Sequence, residues 1–328
     1  MELRKIQRTR GGTFFVTIPK EWAISTGITQ GSVVSTHITP NGRLVIEPYS
    51  KLEPAPLSTM VKPTQYLSRE IIGKYLLGYD IIRIEAKDRI TIDQREIVKE
   101  TAHRLIGLEV IEEDYTKIVL QCLLEPSALS PEKILRREYL ISSAMYKDAV
   151  KAFVDADTQL ARSVVARDNE VDRLYFLLVR ILRTIVLNPT LSEKLEVYPI
   201  ECLDYRLTAS FVESIADQST QIAEQAVRLN GAKLDKDSSE LILELSNKVQ
   251  EAYSDSLAAF FSRDVSIAES VRQKHDIVER LCQSLESISN TLPIDLTQKI
   301  ISVMSLMNRI YYYCVDISDL TTPKIWQS

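Results

Sequence analysis

Glycine is scarce in this chain: nine residues in 328, and only Gly231 after Gly107. No glycine-rich phosphate loop, no G-x-S-x-G and no H-E-x-x-H occurs, so the usual signatures of nucleotide-driven, serine-hydrolase and zinc-protease chemistry are missing. Histidine is scarcer still, and His37, His103 and His275 fall in three separate regions. A carboxylate metal site can hydrolyse phosphoesters, but no stretch marks a substrate pocket, and the chain is expected not to be an enzyme. Four cysteines, Cys122, Cys202, Cys282 and Cys314, stand far apart with no C-x-x-C. That spacing excludes a zinc knuckle and a thiol redox motif, and reads as reduced, buried thiols of a cytosolic protein. Long apolar runs are lacking too. The best one, Leu174 to Leu187, is interrupted by Arg180 and Arg183 and is too short to span a bilayer. Met1 to Arg10 is polar and basic, unlike a secretory leader. The expectation is a soluble, cytoplasmic protein with no membrane insertion.

What is present suits folded domains: 45% hydrophobic and 26% charged residues, in a length that implies two or three domains. The net charge of −5 is unevenly spread. Residues 1–50 hold Arg4, Lys5, Arg8, Arg10, Lys20 and Arg43 against Glu2, Glu21 and Glu47, a net of +3 that leaves −8 for the rest. A basic head on an acidic body predicts different partners for the two parts.

Three regions separate on pattern. In residues 1–50, Phe14 to Ile18 is strand-like up to Pro19, Ser32 to Ile38 alternates, and Pro40-Asn41-Gly42 reads as a hairpin turn into Leu44-Val45-Ile46. Lys20 to Thr26 forms a helical turn between them. A segment this small buries little surface alone, so pairing with a second copy is expected. Pro54, Pro56 and Pro63 mark residues 51–64 as a linker. Residues 65–126 then read as a small α/β module: helices at Tyr66–Leu77 and Asp93–Leu105, strands at Asp80–Glu85, Leu108–Ile111 and Lys117–Leu123. From Ser130-Pro131, a helix start with proline at the first helical position, residues 130–320 read as about six long helices. Pro189 and Pro199, Asn230-Gly231, and Pro293 mark connections. An internal repeat aligns Ala161–Leu174 with Ala268–Leu281, which predicts two copies of a three-helix unit. The predicted fold is multi-domain: an N-terminal swapped-hairpin β-barrel formed as a dimer, a small α/β middle module, and C-terminal all-α tandem three-helix bundles.

Arg4-Lys-Ile-Gln-Arg-Thr-Arg10, Val16-Thr-Ile-Pro-Lys-Glu-Trp22, Thr26-Gly-Ile-Thr-Gln-Gly-Ser-Val-Val34 and Asn41-Gly-Arg-Leu-Val-Ile46 give residues 3–48 their character. The region resembles the AbrB/SpoVT family of swapped-hairpin DNA-binding domains. That resemblance implies a homodimer gripping DNA through Arg4, Lys5, Arg8, Arg10 and Lys20. The residues themselves agree: cations neutralise phosphates and release counterions, and arginine reads guanine edges. A solvated basic edge that only prevents aggregation, or a domain that only dimerises, remains the alternative.

Asp168-Asn-Glu-Val-Asp172 and Glu213-Ser-Ile-Ala-Asp217 each place two acids one helical turn apart. If the two helices face each other, four carboxylates gather, and a multivalent cation relieves their repulsion. Leu160, Val164, Asp168, Asp172 and Phe176 share one stripe, which favours an inward position; a solvated acidic face is the competing reading. Residues 135–320 resemble the PhoU family of phosphate-uptake regulators, which carries two three-helix units with E/D-x-x-x-D metal motifs. The resemblance implies Asp168, Asp172, Glu213 and Asp217 as ligands of a divalent or transition metal such as iron, zinc or magnesium. It also implies phosphate-transporter ATPase or sensor-kinase partners. The second unit departs from the pattern. His275, Asp276 and Glu279 stand where the first acidic motif should recur, and Asn308-Arg-Ile-Tyr-Tyr312 has no acids, so at most a weaker site is expected there. Two functions follow: a DNA-binding regulator of phosphate uptake, or a non-DNA-binding dimeric scaffold that docks transporter or kinase partners.

Overall fold

The structure, a computed structural model, describes residues 3–38, 42–49 and 56–322. The turn residues Pro40 and Asn41 and the linker proline Pro54 lie outside the described residues. The chain divides into two compact units between Ala55 and Pro56.

In the N-terminal unit, β1 (Gln7–Arg8) pairs antiparallel with β2 (Phe14–Phe15), Arg8 opposite Phe14. The turn between them closes through Thr9 N–H to the Thr13 carbonyl at 2.9 Å, and Gly12 takes φ +93°, a conformation that favours glycine. The strand expected over Phe14–Ile18 is thus only two residues long within one chain. Helix α1 (Lys20–Ser25) follows Pro19, and β3 (Val34–Ile38) pairs antiparallel with β4 (Leu44–Pro48). No described residue of this unit is buried; Leu3, Ile6, Phe14, Ile24, Val33 and Ile38 are all exposed.

The second unit begins with β5 (Ser58–Val61), inside the stretch whose prolines predict a linker. The segment pairs because Met60 and Val61 fall between the prolines rather than on them. It runs parallel to β6 (Ile81–Glu85), joined through α2 (Leu67–Leu76). Helix α3 (Ile92–His103) starts at a capping box, with Thr91 accepting from Gln94 N–H and Gln94 accepting from Thr91 N–H. Strands β7 (Leu108–Glu113) and β8 (Lys117–Cys122) complete a four-stranded sheet of order β5-β6-β8-β7. Its core is Ile71, Tyr75, Ile82, Ile84, Val98 and Leu120. Gly107, at φ +77° ahead of β7, leaves no room for a Cβ, which would run into the Leu124 side chain.

The helical part comprises α4 (Pro131–Asp155), α5 (Thr158–Leu187), the short α6 (Pro189–Leu195), α7 (Glu201–Arg228), α8 (Lys236–Ser262), α9 (Val265–Gln273), α10 (His275–Ser289) and α11 (Ile294–Asp319). Five helices are long; the expected sixth is broken at Lys274 into α9 and α10, and α6 fills the connection after Pro189. Helices α4, α5 and α7 pack as one three-helix unit and α8, α9–α10 and α11 as the other, with α4 on α8 and α7 on α11 joining them. The repeat is visible in detail. Ala156 (φ 51°) ends α4 in the left-handed conformation and Asp157 caps α5; at the equivalent positions Arg263 (φ 58°) ends α8 and Asp264 caps α9. The ion pair of Arg167 with Asp148 at 2.6 Å recurs, at the same displacement along the chain, as Lys274 with Asp255 at 2.7 Å. Buried Tyr146 and Phe153 recur as Tyr253 and Phe260.

Arg180 ties the α/β module to the helices. It is 2% exposed on α5, and its Nη1 donates to the Tyr75 carbonyl at 2.7 Å and the Tyr79 carbonyl at 2.8 Å. Nη2 meets Asp80 Oδ1 at 3.1 Å, and the guanidinium lies 5.0 Å from the Tyr75 ring centre. Among the described residues no single helix is long and apolar enough to cross a membrane; α5 and α6 reach the length together only across a 117° bend.

Candidate functional site

Helix α5 carries Asp168 and Asp172, α7 carries Glu213 and Asp217, and the two helices pack against each other. The four acids perturb one another. Partial burial, then the charges of Asp217 and Asp172, push Asp168 up to about 6. Burial, then Asp217, Asp172 and Asp168, push Glu213 up to about 7. Asp217 is raised by burial and by Asp172. Asp172 is raised by burial against the opposing pull of Arg104, whose Nη2 lies 3.9 Å away at the end of α3. The spacing therefore gathers the two motifs into one electrostatic cluster. Its side chains are neither sealed in the core nor fully solvated: Asp168, Asp172 and Glu213 are half-buried, and Asp217 is exposed.

A fifth acid joins them. Glu138 on α4 is 0% exposed, and neither of its carboxylate oxygens has a hydrogen-bond partner in the protein. Burial drives its carboxyl far above the ordinary range, the Glu213 charge adds to the rise, and Arg206 opposes it. Arg206 also lies 4.7 Å from the Tyr175 ring centre. Sequence reasoning passed over Glu138 because it belongs to no paired motif. The available signal was phase: Glu138 sits on the same face as Leu135, Ser142 and Met145, all buried.

The donor set is made of hard carboxylate oxygens, which suits a divalent cation such as magnesium or manganese better than a soft one. An unpartnered buried carboxyl beside the cluster is what such an ion would satisfy. The side chains as placed do not close around one: among the described residues, no three Asp, Glu, His or Cys groups stand close enough to hold a metal.

The second unit is different. His275 opens α10 directly after the break at Lys274, with Nε2 3.7 Å from Glu279 Oε2; both side chains are about half exposed. The imidazole stacks on Tyr311, ring centres 6.3 Å apart. Tyr312 is exposed and Asn308 half-buried, so α11 brings no carboxylate to His275 or Glu279 at these positions.

In the N-terminal unit Lys5, Arg8, Arg10 and Lys20 are exposed. The Arg8 guanidinium lies 5.4 Å from the Phe14 ring centre, and Arg4 Nη1 donates to Thr17 Oγ1 at 2.9 Å. Arg8 precedes the Thr9–Thr13 turn and Arg10 lies within it, while Lys20 opens α1.

The profile of the PhoU domain matches residues 135–226 and 242–321, and that of the family described as antidote-toxin recognition MazE, bacterial antitoxin, matches residues 7–53. No curated protein matches the chain. Among solved structures, PhoU from Pseudomonas aeruginosa superposes with a TM-score of 0.53 at 21% identity, covering 58% of this chain and 93% of that one. The phosphate transport system regulatory protein PhoU from Streptococcus pneumoniae superposes with a TM-score of 0.50 at 16% identity, over 58% and 91%. The two profile segments follow the two three-helix units and together span more than half of the sequence, so the chain belongs to the PhoU domain family.

Proposed function

We propose that the chain is a DNA-binding regulator of phosphate uptake, whose helical domain binds a divalent cation at the acids of its first unit. The observation that carries this reading is the joining, in one chain, of a PhoU domain to an antitoxin-like N-terminal unit that leaves Leu3, Ile6, Phe14, Ile24, Val33 and Ile38 exposed along with Lys5, Arg8, Arg10 and Lys20. Apolar surface of that extent in so short a segment calls for a second copy to cover it, giving a homodimer. Two copies present Arg4, Lys5, Arg8, Arg10 and Lys20 twice, as a two-fold operator requires. Arg8 at the end of β1 and Arg10 in the turn just before Gly11 and Gly12 grip phosphate or read base edges.

In the helical domain, Asp168, Asp172, Glu213 and Asp217 would hold the cation. Bound there, it supplies positive charge that neutralises clustered carboxylates and joins α5 to α7. Arg104 meets the same cluster from the α/β module and holds Asp172 where the module packs on α5.

The test is a gel shift on DNA upstream of phosphate-uptake genes, over a salt series, with wild type and the Arg8→Ala/Arg10→Ala double variant. Losing two phosphate contacts per protomer should flatten the slope of log affinity against log salt by about 2 per protomer. A folded double variant with unchanged affinity and slope would reject the DNA grip and leave the unit as a dimeriser.

A further inference from the structure

We infer that Glu138 is a fifth carboxylate ligand of the divalent-cation site, supplied by α4, so that the site draws on all three helices of the first unit. The inference rests on the cation-binding reading of the α5 and α7 acids, and adds to it a residue that belongs to neither acidic motif.

Three observations carry it. First, Glu138 is fully buried with both oxygens unpartnered in the protein. Buried carboxylates persist when paired, hydrogen-bonded or coordinated to a metal, because the cost of desolvating a lone charge is otherwise far larger than any packing gain. Second, α4 packs on both α5 and α7, and Ser142, one turn further along the same face of α4, donates to the carbonyl of Val212 beside Glu213; the charges that act on Glu138 are those of Glu213, Arg206 and Asp172, so it lies against the acidic cluster. Third, the repeat supplies an internal control. At the displacement that relates Asp148 to Asp255 and Arg167 to Lys274, Glu138 corresponds to Leu245, which is also 0% exposed. Leucine is what packing alone asks for at that position. The carboxylate appears only in the unit that keeps Asp168, Asp172, Glu213 and Asp217; the unit with leucine keeps an acid only at Glu279, in place of Asp172, and has His275, Asn308 and Tyr312 in place of the other three.

A proton would remove the charge of Glu138 but would leave its acidic neighbours repelling one another. A divalent cation satisfies the buried oxygens and relieves the neighbours at once, and carboxylates from facing helices of a bundle core form such sites. Arg206, whose charge acts on both Glu138 and Glu213, lies against Tyr175.

The experiment uses the full chain and Mn2+ alone as the probe, read by titration calorimetry, electron paramagnetic resonance and the metal-induced rise in Tm. It compares wild type with Glu138→Gln, Glu138→Leu and Asp168→Asn/Glu213→Gln. Expected are Mn2+ binding by wild type, an affinity loss of about tenfold or more in both Glu138 variants, and abolition in the double variant. Glu138→Leu, which copies the second unit, should also raise the Tm of the metal-free protein. If Glu138→Gln and Glu138→Leu bind Mn2+ as tightly as wild type while the double variant does not, the ion sits on α5 and α7 alone. Glu138 is then a protonated core acid and the inference is overturned. If wild type binds no Mn2+, the cation-binding reading itself falls, and Glu138 with it.

Discussion

Raising the pH should destabilise the metal-free protein between about pH 4.5 and 7, and the Asp168→Asn/Glu213→Gln variant should lose most of that dependence. Glu213 is raised to about 7 and Asp168 to about 6, each first by burial and then by its acidic neighbours. In the unfolded chain both titrate near their ordinary values. Between those limits the native state holds more protons than the unfolded one, so the unfolding free energy has a negative slope against pH. The stability is therefore fully present below the unfolded pKa and is lost as pH rises through the folded pKa, opposite to a salt-bridged carboxylate. A tenfold change in proton affinity on folding corresponds to about 1.4 kcal/mol. Both groups are half exposed, and solvent screening brings the pair to about 1–2 kcal/mol. That is a fall in Tm of about 2–8 °C for a helical domain of this size. The assay is thermal unfolding by circular dichroism in chelator, from pH 4.5 to 8, in wild type and double variant. A wild-type Tm that rises over this range, or a double variant with the wild-type slope, would refute the claim that the four acids form one repelling cluster.

Two further outcomes are expected. Arg180→Met should cost about 2–4 kcal/mol, because it leaves the Tyr75 and Tyr79 carbonyls and Asp80 without their shared donor; denaturant unfolding measures the loss, and limited proteolysis should show earlier cuts within residues 56–122. A fragment ending near residue 50 should sediment as a dimer at micromolar concentration, since none of its described residues is buried in a single copy; a folded monomer would contradict the shared-core reading.

The helical architecture was legible because its signals are local and repeated. Pro131 at a first helical position, glycine depletion, and the Ala161–Leu174 repeat each point to helices without reference to the rest of the chain. The two acidic motifs were legible for the same reason, since spacing by four fixes a shared helix face wherever the helix goes. Features that depend on distant partners were not. Ser58–Val61 lies among prolines and becomes a strand only because Ile81–Ile84 runs beside it, a pairing that closes over an intervening helix. Phe14–Ile18 has strand composition, yet only Phe14 and Phe15 find a partner within one chain. Arg180 reads as an interruption of an apolar run, whereas it is the residue on which the α/β module closes.

Glu138 shows the same limit at the site itself. Periodicity places it on the buried face of α4, where a charged residue conflicts with its surroundings, and such conflicts mark functional positions in otherwise consistent sequences. The conflict cannot be weighed from α4 alone, because an acid at that phase is equally compatible with a slight rotation of the helix toward solvent. Leu245 removes that freedom. Tyr146 and Tyr253, Phe153 and Phe260, and the two equivalent ion pairs fix the rotational phase of α4 and α8 to be the same. Since Leu245 is buried at that phase, Glu138 must be buried too, and the difference between the units is one of chemistry and not of packing. The two halves of the PhoU domain thus share a framework of caps, ion pairs and aromatic core residues. The carboxylates that act on one another across helices, Glu138, Asp168, Asp172, Glu213 and Asp217, lie in the first half, where α4, α5 and α7 each contribute to a single cluster.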